Sequence, residues 1–127
     1  MSALKLLYVD DEPDIREVAE FSLALDPEIE VRAYPSGAAA LTALAAAPWR
    51  PDVILLDVMM PDMDGPTTLD RLREIAGLEA TPAIFITARA QPQERAGFLA
   101  RGAVGVITKP FDPMTLASDI RSILAAE

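Results

Sequence analysis

Five short apolar runs, at residues 4–9, 29–33, 53–56, 83–87 and 104–107, alternate along the chain with five segments patterned as helices. Most of these runs are continuously apolar rather than alternating, the pattern of strands in a parallel sheet with helices on both faces. The helix boundaries carry local signals. Pro13 opens the first helix, Ser36 caps the second, Pro66 follows an Asp64-Gly65 turn into the third, Gly102 closes the fourth, and Asp112-Pro113 starts the fifth. In the last helix Leu116, Ile120, Ile123 and Leu124 share one apolar face, with Asp119 and Arg121 turned away. A β/α alternation repeated five times predicts a doubly wound α/β domain with a five-stranded parallel sheet, for which the common strand order is 2-1-3-4-5.

Size and composition agree with one such unit. The chain has 127 residues, 51% of them hydrophobic, enough for one core. Neither a low-complexity linker nor a repeat beyond the β/α alternation interrupts it, so residues 1–127 are expected to form a single domain. Its 20 acidic residues outweigh 11 basic ones for a net charge of -9, and the basic residues are scattered singly. Nucleic acid and anionic membrane are therefore not expected partners. No apolar window reaches the roughly 20 residues of a membrane span, and no basic segment leads into a long apolar stretch at the start, so a cytoplasmic location is expected. The absence of cysteine and histidine removes disulfides, thiol catalysis, Ser-His triads and an internal histidine phosphodonor. Chemistry must use carboxylates, hydroxyls and lysine.

In open α/β sheets, functional groups gather beyond the carboxyl ends of the strands, where the strand order reverses. Here the first strand ends in Asp10-Asp11, the third in Asp57 and the fourth in Thr87, and the fifth runs through Thr108 to Lys109. The second ends in Tyr34-Pro35-Ser36-Gly37, with nothing ionic. In the order 2-1-3-4-5 that silent strand is an edge and the other four are consecutive. Neighbouring strands lie about 4.8 Å apart, so three carboxylates share one small volume, and Lys109, roughly 14 Å from the first strand, is long enough to lean back toward them. Like charges this close raise one another's pKa unless a cation compensates, which implies a metal ion. The small all-oxygen donor set suits Mg²⁺, or Mn²⁺, which keeps several waters and takes one or two carboxylates plus a phosphate oxygen. Asp57, alone at the end of the central strand, is the nucleophile such a site would direct at phosphorus. Lys109 would neutralise the equatorial oxygens and Thr87 would hydrogen-bond one of them.

The segments YVDDEPD, VILLDVMMPDMDG, IFITA and GAVGVITKPF, in this order and spacing, resemble a response regulator receiver domain, the CheY-like, flavodoxin-like fold, from Leu4 to about Leu124. The resemblance implies two-component signalling in which Asp57 takes a phosphoryl group from the phosphohistidine of a sensor histidine kinase or a histidine phosphotransfer protein. Asp10, Asp11, Asp57 and the backbone carbonyl of Met59 would hold Mg²⁺, Thr87 would move toward the phosphoryl group, and Lys109 would contact it. The Lys109-Pro110 bond would be cis, a state that an X-Pro bond disfavours by only about 0.5 to 1 kcal/mol. The chain would then be a phosphoacceptor switch that phosphorylates and dephosphorylates itself rather than a turnover enzyme. As a monomer or weak dimer, it would signal by contact with a downstream protein. Met59 and Arg89, which flank the phosphoryl group by resemblance, are expected to set its lifetime.

One position departs from the family pattern. Three residues before the lysine the family usually carries Tyr or Phe, and here that residue is Val106, whose single stiff rotor has no polar tip and cannot turn inward as an aromatic ring does. Coupling through the loop at Ala88 and Arg89, or through another surface, is expected instead. Two alternatives bear on the same residues. A Mg²⁺-dependent aspartyl phosphohydrolase would carry its nucleophile after the first strand in an Asp-x-Asp pattern, where this chain reads Asp10-Asp11-Glu12 and lacks an insertion large enough for a cap. A pseudo-receiver, a binding module without the chemistry, draws support from Val106 alone. Neither glycine-rich phosphate-binding loop pattern is present. Plainer roles are expected for several neighbours: one of Asp10, Asp11 and Glu12 as the cap of the first helix, Asp62 and Asp64 in the loop, and the side chains of Met59, Met60 and Met63 as filler. Trp49, at the far end of the third strand, should pack or lie on the surface.

Overall fold

In the computed structural model, which describes residues 3–126, strands and helices alternate along the chain: β1 (Leu4–Val9), α1 (Pro13–Ala24), β2 (Ile29–Tyr34), α2 (Gly37–Ala46), β3 (Val53–Asp57), α3 (Gly65–Leu72), β4 (Ala83–Thr87), α4 (Pro92–Ala100), β5 (Gly105–Thr108) and α5 (Leu116–Ala125). The strands form one sheet in the order β2-β1-β3-β4-β5, every neighbouring pair parallel. This is the doubly wound order expected from the sequence.

Alternation along each strand sends successive side chains to opposite faces, and each face meets its own helices. Leu6, Tyr8, Val53, Leu55, Ile84 and Ile86 pack with Ala19 and Leu23 of α1 and with Leu116 and Ile120 of α5. On the other face Leu7, Val9, Ile54, Leu56 and Phe85 meet Ala40 and Leu44 of α2 and Leu69 and Leu72 of α3. Residues Leu6–Val9 and Val53–Leu56 are wholly inaccessible to solvent, which explains their unbroken apolar run. Each such Leu, Ile or Val contributes on the order of 1.5–3 kcal/mol by leaving water. α4 is the exception, with no buried residue; Phe98 docks it by packing on Phe85, ring centroids 5.3 Å apart at 59°.

Local chemistry moves several predicted boundaries. The third helix begins at Gly65 rather than Pro66, because Asp64 is its N-cap and accepts the Thr67 N–H at 2.8 Å. The fifth begins at Leu116, three residues later than Asp112-Pro113 suggested. The Asp112 side chain accepts the Met114 N–H at 2.8 Å and holds residues 113–115 as a turn before the helix starts. Ser36 caps α2 through the Ala39 N–H at 3.0 Å, and Gly102, at φ +102°, follows α4. Among the methionines, Met60 packs on the core while Met59 is exposed. Trp49 lies away from the carboxyl ends of the strands, its indole N–H donating to Glu30 at 2.6 Å and its ring stacked under the Arg32 guanidinium at 4.5 Å.

Candidate functional site

Strand register brings the polar residues to one end of the sheet. Val9 pairs with Leu56, so the residues that follow, Asp10 on β1 and Asp57 on β3, are side by side; Asp57 pairs with Ile86, and Thr87 with Thr108. Beyond Asp57 the chain folds back toward α3. The Gly65 N–H donates to the Val58 carbonyl at 2.9 Å, and a Cβ at Gly65 would sit 2.5 Å from the Asp57 carbonyl oxygen. Only glycine lets the start of α3 approach the strand end this closely.

Asp10 is fully buried and Asp57 is 3% exposed, while Asp11 is half-buried and Glu12 exposed. One oxygen from each of these four carboxylates lies within 4.8 Å of the others. Lys109 leans across them as expected. Its Nζ stands 3.2 Å from Asp10 Oδ2, 3.2 Å from Glu12 Oε1 and 3.3 Å from Asp57 Oδ1. The Lys109-Pro110 peptide bond is cis, and the Lys109 N–H donates to the Thr87 carbonyl at 2.8 Å, tying the β5 end to β4.

The first helix has no side-chain cap of the expected kind. Glu12 occupies the N-cap position without a capping hydrogen bond, and Asp10 Oδ1 instead accepts the Glu12 N–H at 2.9 Å. Asp10 is otherwise saturated: Tyr8 Oη donates to its Oδ2 at 2.7 Å, and Arg16 Nη1 donates to its backbone carbonyl at 2.8 Å. Two neighbouring oxygens are the opposite case. Asp11 Oδ1 and Asp57 Oδ2 are buried with no hydrogen-bond partner. Buried acceptors are rarely left so, and such orphans call for a ligand.

The electrostatics follow from this crowding. Burial, reinforced by the Asp10 charge and opposed by Lys109, pushes Asp57 up to about 6. Burial would lower Lys109, but the Asp10 and Asp57 charges outweigh it and raise the ammonium above its ordinary range. Burial, then the hydrogen bond to Asp10, holds the Tyr8 hydroxyl far above the usual tyrosine value. A divalent cation would relieve the repulsion, and the donor set, carboxylate oxygens with two of them unpartnered, fits a hard ion.

The remaining predicted residues are placed differently, some buried and some exposed. Thr87 is buried and its Oγ1 accepts the Arg89 N–H at 3.0 Å. Ala88 and Arg89 are exposed beyond β4, Met59 is exposed two residues past Asp57, and Pro110 is exposed beside Lys109. Val106 is buried in β5, opposite Phe85, with its carbonyl 3.5 Å from Arg95 Nη1 of α4. Sequence reading did not find the hydrogen bonds that order the cluster, among them Tyr8–Asp10 and Glu12–Lys109. Tyr8 shares a sheet face with Asp10 by the strand period of two, a signal available in principle; the Glu12–Lys109 pair, which joins residues 97 apart, carried none.

Comparison with known proteins identifies a family. Residues 6–121 match the family described as the response regulator receiver domain. The chain is 33% identical over 130 residues to response regulator Rre1 of Synechocystis, covering 98% of this chain and 53% of that protein. It is 34% identical over 124 residues to the phosphate regulon transcriptional regulatory protein PhoB of Escherichia coli, covering 96% of this chain and 52% of that one. It thus spans about half the length of these two relatives. Among solved structures, chemotaxis protein CheY4 of Vibrio cholerae superposes with a TM-score of 0.84 at 32% identity, covering 97% of this chain and 99% of that one.

Proposed function

The chain belongs to the response regulator receiver domain family, and we propose that it accepts a phosphoryl group on Asp57 from the phosphohistidine of a sensor histidine kinase or histidine phosphotransfer protein and signals by contact with a downstream protein. The observation that carries this reading is the Asp57 carboxylate: buried, one oxygen 3.3 Å from Lys109 Nζ and the other without a partner. It is poised rather than neutralised.

In this reading an Asp57 oxygen attacks phosphorus. The new O–P bond forms as the N–P bond to the donor imidazole breaks, and the imidazole leaves with that electron pair. Lys109, already bridging Asp10 and Asp57, follows the charge that moves onto the phosphoryl oxygens. Thr87 offers its hydroxyl, whose oxygen already holds the Arg89 N–H in place. Asp10, Asp11 and Asp57, with the Met59 carbonyl, would hold Mg²⁺ or Mn²⁺, which when bound supplies positive charge against the phosphoryl oxygens. Met59 and Arg89, which would flank the phosphoryl group by the family resemblance and are both exposed, set how long the aspartyl phosphate lasts. With Val106 in place of an aromatic ring, the signal leaves through the Ala88–Arg89 loop that Thr87 anchors. A cytoplasmic monomer or weak dimer is the form this reading takes, and among the described residues no helix is long and apolar enough to cross a membrane.

Intact-mass spectrometry after incubation with Mg²⁺ and acetyl phosphate tests the reading. An adduct of one phosphoryl group on the wild type that is absent from Asp57→Asn is expected. Its absence from a folded wild type that binds Mg²⁺ would favour a binding module without the chemistry.

A further inference from the structure

Tyr8 has no part in the proposed phosphoryl chemistry, yet its hydroxyl donates to Asp10, one of the carboxylates of the acidic cluster. The ring is fully buried on the α1/α5 face of the sheet, between Leu6 and the end of β1. A phenylalanine would fill that space equally well. A hydroxyl buried in an apolar layer is unfavourable unless it is hydrogen-bonded, and the partner it has is Asp10 Oδ2 at 2.7 Å. The polar atom is placed for Asp10.

The state of the three site aspartates shows what that contact achieves. Asp10 is held by the Glu12 N–H on Oδ1, by Tyr8 and Lys109 on Oδ2, and by Arg16 on its carbonyl. Asp11 Oδ1 and Asp57 Oδ2 are held by nothing. One carboxylate is thus locked while its neighbours have a free oxygen each. Lys109 is a poor permanent anchor for Asp10, because it also contacts Glu12 and Asp57. If it turns toward a group on Asp57, the Tyr8 hydroxyl is the side-chain donor left on Asp10 Oδ2.

We propose that Tyr8 is a positioning residue for the cation site, its hydroxyl fixing the Asp10 carboxylate in the orientation that serves a divalent ion shared with Asp11 and Asp57, whether or not Lys109 stays. This rests on the proposed use of the acidic cluster as a Mg²⁺ site. Outer groups that orient a metal's carboxylates typically change affinity by about 10- to 100-fold when removed.

Two measurements decide it. Calorimetric titration of metal-free protein with Mg²⁺ should give a dissociation constant about tenfold weaker for Tyr8→Phe than for wild type, whereas a tyrosine needed only for packing would leave it unchanged. Ultraviolet difference spectra supply the second readout. The chain has two tyrosines, so in Tyr34→Phe the tyrosine signal belongs to Tyr8 alone. Adding Mg²⁺ to that variant should perturb the tyrosine bands, and the perturbation should be absent from Tyr8→Phe. Wild-type affinity in Tyr8→Phe, or a silent spectrum in a Tyr34→Phe variant that binds Mg²⁺, overturns the proposal and leaves the cation site standing. No Mg²⁺ binding by the wild type overturns both. If Tyr8→Phe does not fold, the Tyr34→Phe spectrum decides by itself.

Discussion

Replacing Asp57 by Asn should stabilise the protein in the absence of metal, although it removes the residue on which the proposed function depends. Burial and the neighbouring Asp10 raise Asp57 from 3.8 to about 6. At about 1.4 kcal/mol for each tenfold change in proton affinity, holding it ionised in the folded protein costs about 3 kcal/mol relative to the unfolded chain. The sign follows from the direction of the shift. Below pH 3.8 the group is protonated in both states and costs nothing; the destabilisation grows as pH rises through the window from 3.8 to about 6, and is complete above it. Asparagine removes the charge but forfeits the 3.3 Å contact with Lys109. A net gain of about 1–2 kcal/mol at pH 7 is therefore expected, roughly 0.5–1 M in urea midpoint for a domain of this size. Urea unfolding in EDTA, followed by circular dichroism at pH 7 and again near pH 4, measures it. The gain should shrink at the lower pH, and saturating Mg²⁺ should reverse the ranking, because the cation stabilises the wild type through the carboxylate that the variant lacks. An equal or lower midpoint for the variant at pH 7 in EDTA would refute the account of the carboxylate cluster as a repulsive, cation-seeking site.

Lys109→Met should act in the opposite direction, destabilising the metal-free protein by about 2–3 kcal/mol because it strands Asp10 and Asp57 without their cation, with part of the loss restored by Mg²⁺ in the same urea assay. Gly65→Ala forces a Cβ to within 2.5 Å of the Asp57 carbonyl; a loss of about 2–3 kcal/mol and slower phosphorylation by acetyl phosphate are expected, and a variant normal in both would show that the loop yields freely. Arg50→Ala tests a site remote from the chemistry: its guanidinium donates to the carbonyls of Leu44, Ala47, Trp49 and Ala76, so thermal denaturation should show a loss of about 2–3 kcal/mol with the rate of phosphorylation unchanged.

The fold was legible because its dominant energy term is written in the spacing of apolar residues. Strands buried on both faces have to be continuously apolar, so β1, β3 and β4 stood out; the alternation pointed to a doubly wound sheet, and the strand order was the common one for that class. Boundaries were less visible because they depend on one hydrogen bond each. Asp64 read as part of a turn until its carboxylate was seen to accept the Thr67 N–H. Asp112-Pro113 carried a helix-start signal that the Asp112 side chain spends on a preceding turn. α4 carried Pro92 and helical patterning, but nothing in the sequence announced that it would bury none of its residues.

The site was legible for a different reason. In a doubly wound sheet, position along a strand fixes position in space, so polar residues at four strand ends had to converge. What escaped was the internal order of the cluster. Net repulsion among Asp10, Asp11 and Asp57 can be inferred from proximity, and it treats the three as equivalent. The structure breaks that equivalence through three donors: a phenol two residues back on the same face, a backbone N–H two residues on, and a lysine 99 residues downstream. Each engages Asp10, which is why Asp10 is the carboxylate with no orphan oxygen while Asp11 and Asp57 each keep one. The motif Asp10-Asp11 therefore joins unlike parts, an anchored charge followed by one with a free oxygen. That asymmetry, and not the number of carboxylates, distinguishes the oxygens still open to a ligand.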